Sequence, residues 1–215
     1  MHKGSPALEY EQIVKNLKLN MTSIYEGFHP ERTKCIDLYG WSVPSQDALD
    51  TIASLNKGDM LVDYGCGSGI WSEALEDRGV EVWPYDPDPH YHTHWFSSLP
   101  SQPNRLPAAK ASTSSKSPYV EVESFCPWDD WKDKHVSMLL SWPLYNDPMG
   151  VNALKDWVLK TIPTYLFYVG ESVGGCTGTT EMFDFIEQRF DPYMVVDIPT
   201  WPGVHDSLTI YKYTE

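Results

Sequence analysis

Met60-Leu61-Val62-Asp63-Tyr64-Gly65-Cys66-Gly67-Ser68-Gly69 decides how this 215-residue chain reads. Met60 to Asp63 is short and apolar before its acidic end, as in a strand buried on both faces. Three glycines at alternate positions follow, then a helical stretch from Ser68 to Arg78 with Gly79 closing it. Strand, glycine loop and helix in that order make a glycine motif informative. Glycine lets the backbone turn through positive φ and come close to a ligand without an intervening Cβ. A dinucleotide loop would need glycine where Ile70 stands, and a phosphate loop would need lysine. Asp63 would also crowd a pyrophosphate. An acidic residue leading into GxGxG suits a ligand that carries an amine.

Working outward, Leu8 to Leu19 has apolar residues near helical spacing, and Gln46 to Leu55 is a second helix with Ser45 as N-cap and Gly58 closing it. Val80 to Tyr85 reads as the next strand, with Pro84 at its end because proline donates no ladder hydrogen bond. Tyr119–Val122, His135–Ser141 and Tyr165–Gly170 are further strands; Val151–Leu159 and Glu181–Phe190 are helices. Met194–Ile198 and Ser207–Tyr213 form a closing pair. The expectation is an α/β fold, a Rossmann-like, mostly parallel seven-stranded sheet with an antiparallel terminal strand pair. Ligands in such sheets sit beyond the carboxyl ends of the strands. Residues 1–38 read as a helical N-terminal segment and residues 39–215 as one domain. Within it, residues 101–118, rich in Ser, Pro, Ala and Lys, read as a flexible loop.

Composition narrows the function. Hydrophobic residues make up 41% of the chain, with nine Trp, which is enough for a core. Thirty acidic against sixteen basic residues give a charge of −14, which repels polyphosphate at long range. Cys35, Cys66, Cys126 and Cys176 form no CxxC pair and suggest no disulfide framework. No apolar run reaches a membrane span, and Met1 to Pro6 lacks a secretory signal's apolar stretch. A cytoplasmic protein is expected. His90, His92 and His94 alternate, but flanking prolines make the stretch an irregular loop, and no metal is expected.

The chain resembles the class I S-adenosylmethionine-dependent methyltransferases, whose first motif, (D/E)xGxGxG, is matched by Asp63 to Gly69. The segments YGWSVPSQDAL (39–49), SWPLYNDPM (141–149), GESVGGCTG (170–178) and DIPTWPGVHDSL (197–208) look like a poorly characterised subgroup of that superfamily. The resemblance covers residues 39–215 and implies S-adenosyl-L-methionine as cofactor. It implies that Gly65 to Gly69, with Cys66 and Gly67, wrap the methionine moiety, and that Asp63 orients the loop and reaches the amino group. Asp86, in Tyr85-Asp86-Pro87, would accept the ribose hydroxyls. Ser124 and Phe125 would lie near the adenine. Trp41, Tyr64, Trp71, Ser141 and Trp142 complete the expected cofactor set.

Methyl transfer mainly requires holding nucleophile and methyl carbon in line and removing a proton. Ser141-Trp-Pro-Leu-Tyr-Asn-Asp147, at the end of a strand, is similar to the (D/N/S)PP(Y/F/W) signature of amino-group methyltransferases. Trp142 intervenes, however, and Leu144 stands where that signature has proline. Tyr145, Asp147 and His205 are the catalytic candidates, with Asp206 as a possible orienting partner for His205. The acceptor expected from charge is a small molecule or a protein. Two other readings stay open: a non-catalytic cofactor-binding regulatory module, and an adenine-amino methyltransferase needing a basic partner. The oligomeric state is not legible.

Overall fold

Leu61, Val62, Met138, Leu139, Leu140, Leu166, Phe167 and Val169 are all fully buried, as in strands covered by helices on both faces. The computed structural model describes residues 5–20, 30–87 and 119–214. The helices α1 (Pro6–Asn20), α2 (Pro30–Tyr39) and α3 (Gln46–Leu55) precede β1 (Met60–Tyr64), α4 (Ile70–Glu76) and β2 (Val82–Tyr85). After a short 3-10 turn at Trp128–Trp131 come β3 (His135–Ser141), α5 (Met149–Lys160), β4 (Ile162–Gly170), α6 (Thr180–Arg189), β5 (Phe190–Asp197) and β6 (Ser207–Tyr213).

The sheet order is β2-β1-β3-β4-β6-β5. β1 pairs in parallel with β2 and β3, and β3 in parallel with β4. β6 runs antiparallel to both β4 and β5. The chain steps from β1 to β2 on one side, then crosses to β3 on the other. The switch point, and so the ligand crevice, lies between the carboxyl ends of β1 and β3.

Side chains that alternate along each strand divide the core in two. Leu61, Leu139, Phe167 and Val169 join Leu49, Ile52, Trp71 and Leu75 from α3 and α4. Val62, Met138, Leu140 and Leu166 join Leu154, Trp157, Met182 and Ile186 from α5 and α6. Two hydroxyl caps start helices as their sequences require: Ser45 Oγ accepts from Ala48 N, and Thr179 Oγ1 from Met182 N.

The N-terminal helices belong to the first core. Ala7, Tyr10 and Val14 of α1 are buried there with Cys35 and Tyr39 of α2. Tyr10 stacks on Tyr39, its hydroxyl donates to the Gly40 carbonyl at 3.0 Å, and the Trp201 indole donates to that hydroxyl at 3.0 Å.

The expected α/β architecture holds, with corrections to individual elements. The described residues form six strands and not seven, because Tyr119–Val122 forms no strand and only Glu123, just after it, makes a single parallel bridge, to Tyr85. The reason is where its polar groups go. Tyr119 N donates to the Ser68 carbonyl and its hydroxyl to the Leu38 carbonyl, both at 2.8 Å. The segment is tied to the glycine loop and α2 before it can join the sheet. α4 is also shorter than read, since Gly67 and Gly69 at φ +58° and +75° delay its start. Phe190, read as the end of a helix, opens β5. The alternating histidines and the 101–118 stretch lie outside the described residues. No helix among the described residues is long and apolar enough to cross a membrane.

Candidate functional site

At the carboxyl end of β1 the backbone turns out of the sheet through Gly65, Gly67 and Gly69, all with positive φ. The turn is pinned mostly by main chain. Gly65 N and Cys66 N both donate to the Tyr85 carbonyl, at 2.8 and 3.0 Å, and Gly69 N donates to the Cys66 carbonyl at 2.9 Å. Gly67 N donates to Asp86 Oδ2 at 3.0 Å. Asp86 thus closes the loop from the end of β2 and is itself buried. A Cβ on Gly69 would lie 2.5 Å from Val120 Cγ2, and one on Gly65 would lie 3.0 Å from Met149 Cε. The cradle has no room for a larger residue at Gly69.

Asp63 sits beneath this loop, 1% exposed. Ser72 Oγ, on the first turns of α4, donates to Asp63 Oδ2 at 2.6 Å. Oδ1 is buried and has no hydrogen-bond partner among the described residues. Burial pushes the Asp63 carboxyl up to about 7; the Ser72 bond opposes that shift and the neighbouring Asp86 adds to it. A buried carboxylate oxygen without a donor suits a cationic ligand group beside it.

Of the other expected cofactor residues, Tyr64 and Tyr85 pack their rings together at 4.6 Å and belong to the second core. Pro87 is exposed. Trp71 is buried, and its indole donates to Ser42 Oγ at 2.8 Å. Ser42 Oγ lies 2.6 Å from Ser141 Oγ, so a hydroxyl pair joins the segment before α3 to the end of β3. Trp41 stacks on Trp142 with centroids 4.7 Å apart and ring planes 13° apart. Ser124 and Phe125 are exposed, and the Phe125 carbonyl accepts from the Trp83 indole at 3.3 Å.

The catalytic candidates are spread out. Tyr145 is 62% exposed. Asp147 Oδ1 accepts from Met149 N at 2.7 Å, so it is tied into the turn just before α5, whose N-cap is Pro148. The His205 side chain is 85% exposed and its Nδ1 lies 3.5 Å from Glu171 Oε1. Asp206 does not serve His205: its Oδ2 accepts from the Trp142 indole at 2.6 Å. Glu171 is fastened by backbone donors, Cys176 N to Oε2 at 2.7 Å and His205 N to Oε1 at 2.9 Å. Burial raises the Glu171 carboxyl, yet these donations outweigh it and hold the group below its ordinary value. Gly174 and Gly178, at φ +88° and +68°, form the tight turn that brings Cys176 back to it.

Sequence reasoning missed Ser42 and Ser72. Ser72 was findable, since the first turns of a helix after a strand face the strand's end. Ser42 left no signal, because its partner lies 99 residues away. No group of three or more His, Cys, Asp or Glu among the described residues is placed to hold a metal ion.

A family model described as a methyltransferase domain matches residues 43–186. Among solved structures, the chain is similar to the 1,6-didemethyltoxoflavin-N1-methyltransferase of Burkholderia thailandensis, solved with 1,6-didemethyltoxoflavin and S-adenosylhomocysteine. The identity is 13%, covering 100% of this chain and 93% of that one, with a TM-score of 0.51. It is also similar to a magnesium protoporphyrin IX methyltransferase from Synechocystis PCC 6803 with bound S-adenosylmethionine, at 10% identity over 100% of both chains and a TM-score of 0.46. The N-methyltransferase NodS from Bradyrhizobium japonicum WM9 shares 11% identity over 79% of this chain and 96% of that one, with a TM-score of 0.46. The first of these likenesses, at 13% identity, speaks for the fold alone, and the other two carry no argument. No curated protein matches the chain.

Proposed function

We propose that this chain, which belongs to the family of methyltransferase domains whose model it matches over residues 43–186, methylates a small molecule or a protein and not nucleic acid. The chain is an S-adenosylmethionine-dependent methyltransferase. The acceptor class is our reading, and the charge of −14 supports it. We further read residues 39–215 as the methyltransferase domain, with residues 1–38 as a helical segment laid over it.

One observation carries the cofactor assignment to particular residues. Asp63 Oδ1 is buried without a donor, directly below a loop of three left-handed glycines. That pairing fits a ligand with an ammonium group, held close against backbone. In this reading Gly65 to Gly69 hold the methionine part, Asp63 holds its amine, and Asp86 accepts from the ribose hydroxyls. Trp41, Trp71, Ser141 and Trp142 would line the side facing the acceptor. Tyr145, Asp147 and His205 would form the outer rim on which the acceptor lands. When bound, S-adenosylmethionine supplies a methyl group on a positively charged sulfur that is already a good leaving group. The residues therefore need only to orient an acceptor, exclude water and take a proton.

Calorimetric titration with S-adenosylhomocysteine tests the cofactor residues. We expect a Kd below about 10 μM, or about 6.8 kcal/mol of binding. Gly67→Arg, which fills the loop, should abolish it. A folded wild-type protein that gives no heat would overturn the assignment. Retention of the chain on heparin at physiological salt would overturn the acceptor class.

A further inference from the structure

Trp142 is the one non-glycine residue among those described whose φ, +55°, lies in the left-handed region. Such a backbone costs on the order of 1–2 kcal/mol, so something holds it there. Its ring is held from both sides: it stacks on Trp41, and its indole donates to Asp206 Oδ2. Trp142 directly follows Ser141, so the pair stands at the carboxyl end of β3, beside the switch point. Asp206 is 8% exposed, and its other oxygen, Oδ1, is buried with no hydrogen-bond partner among the described residues. Asp206 also lies in the lining of an open hollow formed by the connection between β5 and β6. A carboxylate fixed through one oxygen and unfilled at the other is a directed acceptor for an N–H.

Resting on the S-adenosylmethionine reading, we propose that Asp206 is the acceptor-side catalytic carboxylate, receiving the N–H of a planar heteroaromatic acceptor that lies against the Trp41–Trp142 pair. As the acceptor nitrogen bonds to the methyl carbon, the carbon–sulfur bond breaks and its electron pair stays on sulfur. The N–H proton passes to Asp206 Oδ1, giving the neutral acid, which afterwards returns it to water. Both indoles are partly exposed, and an indole face favours flat aromatic partners. The groups around Asp206 are Arg32 from α2, Tyr10 from α1, Tyr168 from β4, and Glu171, Cys176 and His205 from the two loops. Burial pushes the Asp206 carboxyl up to about 6; the Trp142 bond, Arg32 and His205 oppose this, and Glu171 adds to it. The carboxylate is thus ionised above neutrality and close enough to protonation to serve as a base.

The test uses the wild-type chain saturated with S-adenosylhomocysteine and two probes, benzimidazole and 1-methylbenzimidazole, read by tryptophan fluorescence at pH 7.5. The probes share a ring system and differ in the N–H. We expect benzimidazole to bind at least tenfold more tightly, and Asp206→Asn to lose that preference while keeping its S-adenosylhomocysteine affinity within twofold. The wild-type preference should fade as pH falls through about 6. Equal affinity of the wild type for both probes, or no saturable binding of benzimidazole, would overturn the proposal even if the variant failed to fold. Loss of S-adenosylhomocysteine binding by the wild type would instead strike the cofactor reading.

Discussion

The two sides of the crevice are built from different materials. On the β1–β2 side the loop is fixed by backbone donors reaching the Tyr85 and Cys66 carbonyls and Asp86, all within one strand-helix-strand unit. On the β3–β4 side backbone donors still reach Glu171, but side chains distant in sequence also meet: Ser42 with Ser141, and Trp142 with Asp206, 64 residues apart. Its outer rim, Tyr145, Asp147 and His205, faces solvent. A ligand shared by a whole family can be gripped by backbone, which changes little under mutation. An acceptor peculiar to one protein is better read by side chains drawn from several stretches, each replaceable by itself.

Substitutions on the two sides should therefore differ in kind. Gly69→Val is expected to have the largest effect, about 2–5 kcal/mol from a left-handed backbone and a clash with Val120 together. A loss of only a few tenths of a kcal/mol in urea unfolding would mean the backbone side is not rigid. Asp63→Asn should cut S-adenosylhomocysteine affinity at least tenfold yet stabilise the free protein at pH 8 by about 1–3 kcal/mol. With its carboxyl raised to about 7, native Asp63 keeps a proton that the unfolded chain has already lost above its ordinary value. Wild-type stability therefore falls as pH rises through that window and levels off above it, and the variant lacks that slope. Unfolding curves at pH 5 and pH 8 give the comparison.

Effects on the side-chain half should be smaller. Glu171→Gln should cost about 1–2 kcal/mol at pH 7. The lowered Glu171 carboxyl contributes stability above its unfolded value, and that contribution is lost as pH falls through the folded one. The difference between variant and wild type should close in acid. His205→Ala should change stability by less than about 0.5 kcal/mol, since its side chain is mostly in solvent and its backbone N–H still reaches Glu171. A larger loss in thermal unfolding would show that the rim is structural.

This contrast also explains what could be read from the sequence. The glycine loop, Asp63 and the α/β order were legible because local spacing encodes them: alternate glycines after an apolar run, and helices between strands. Tyr119–Val122 misled because its aromatic and β-branched residues suit a strand, while the partners of Tyr119, Ser68 and Leu38, belong to other elements. Asp206 was visible only as a neighbour of His205. Its true partner, Trp142, could not be inferred, since no periodicity connects positions so far apart. Position 142 carries no glycine to advertise its left-handed backbone.

The bond from Trp201 to Tyr10 sets a schedule for synthesis. α1 leaves the ribosome well before the indole that fastens its Tyr10, and through it the Gly40 carbonyl; that indole is added 191 residues later. Translation runs at about 5–20 residues per second, so the first helix waits on the order of ten seconds or more for its clasp. During that interval Tyr10 is without its final hydrogen-bond partner, and α1 is open to chaperones.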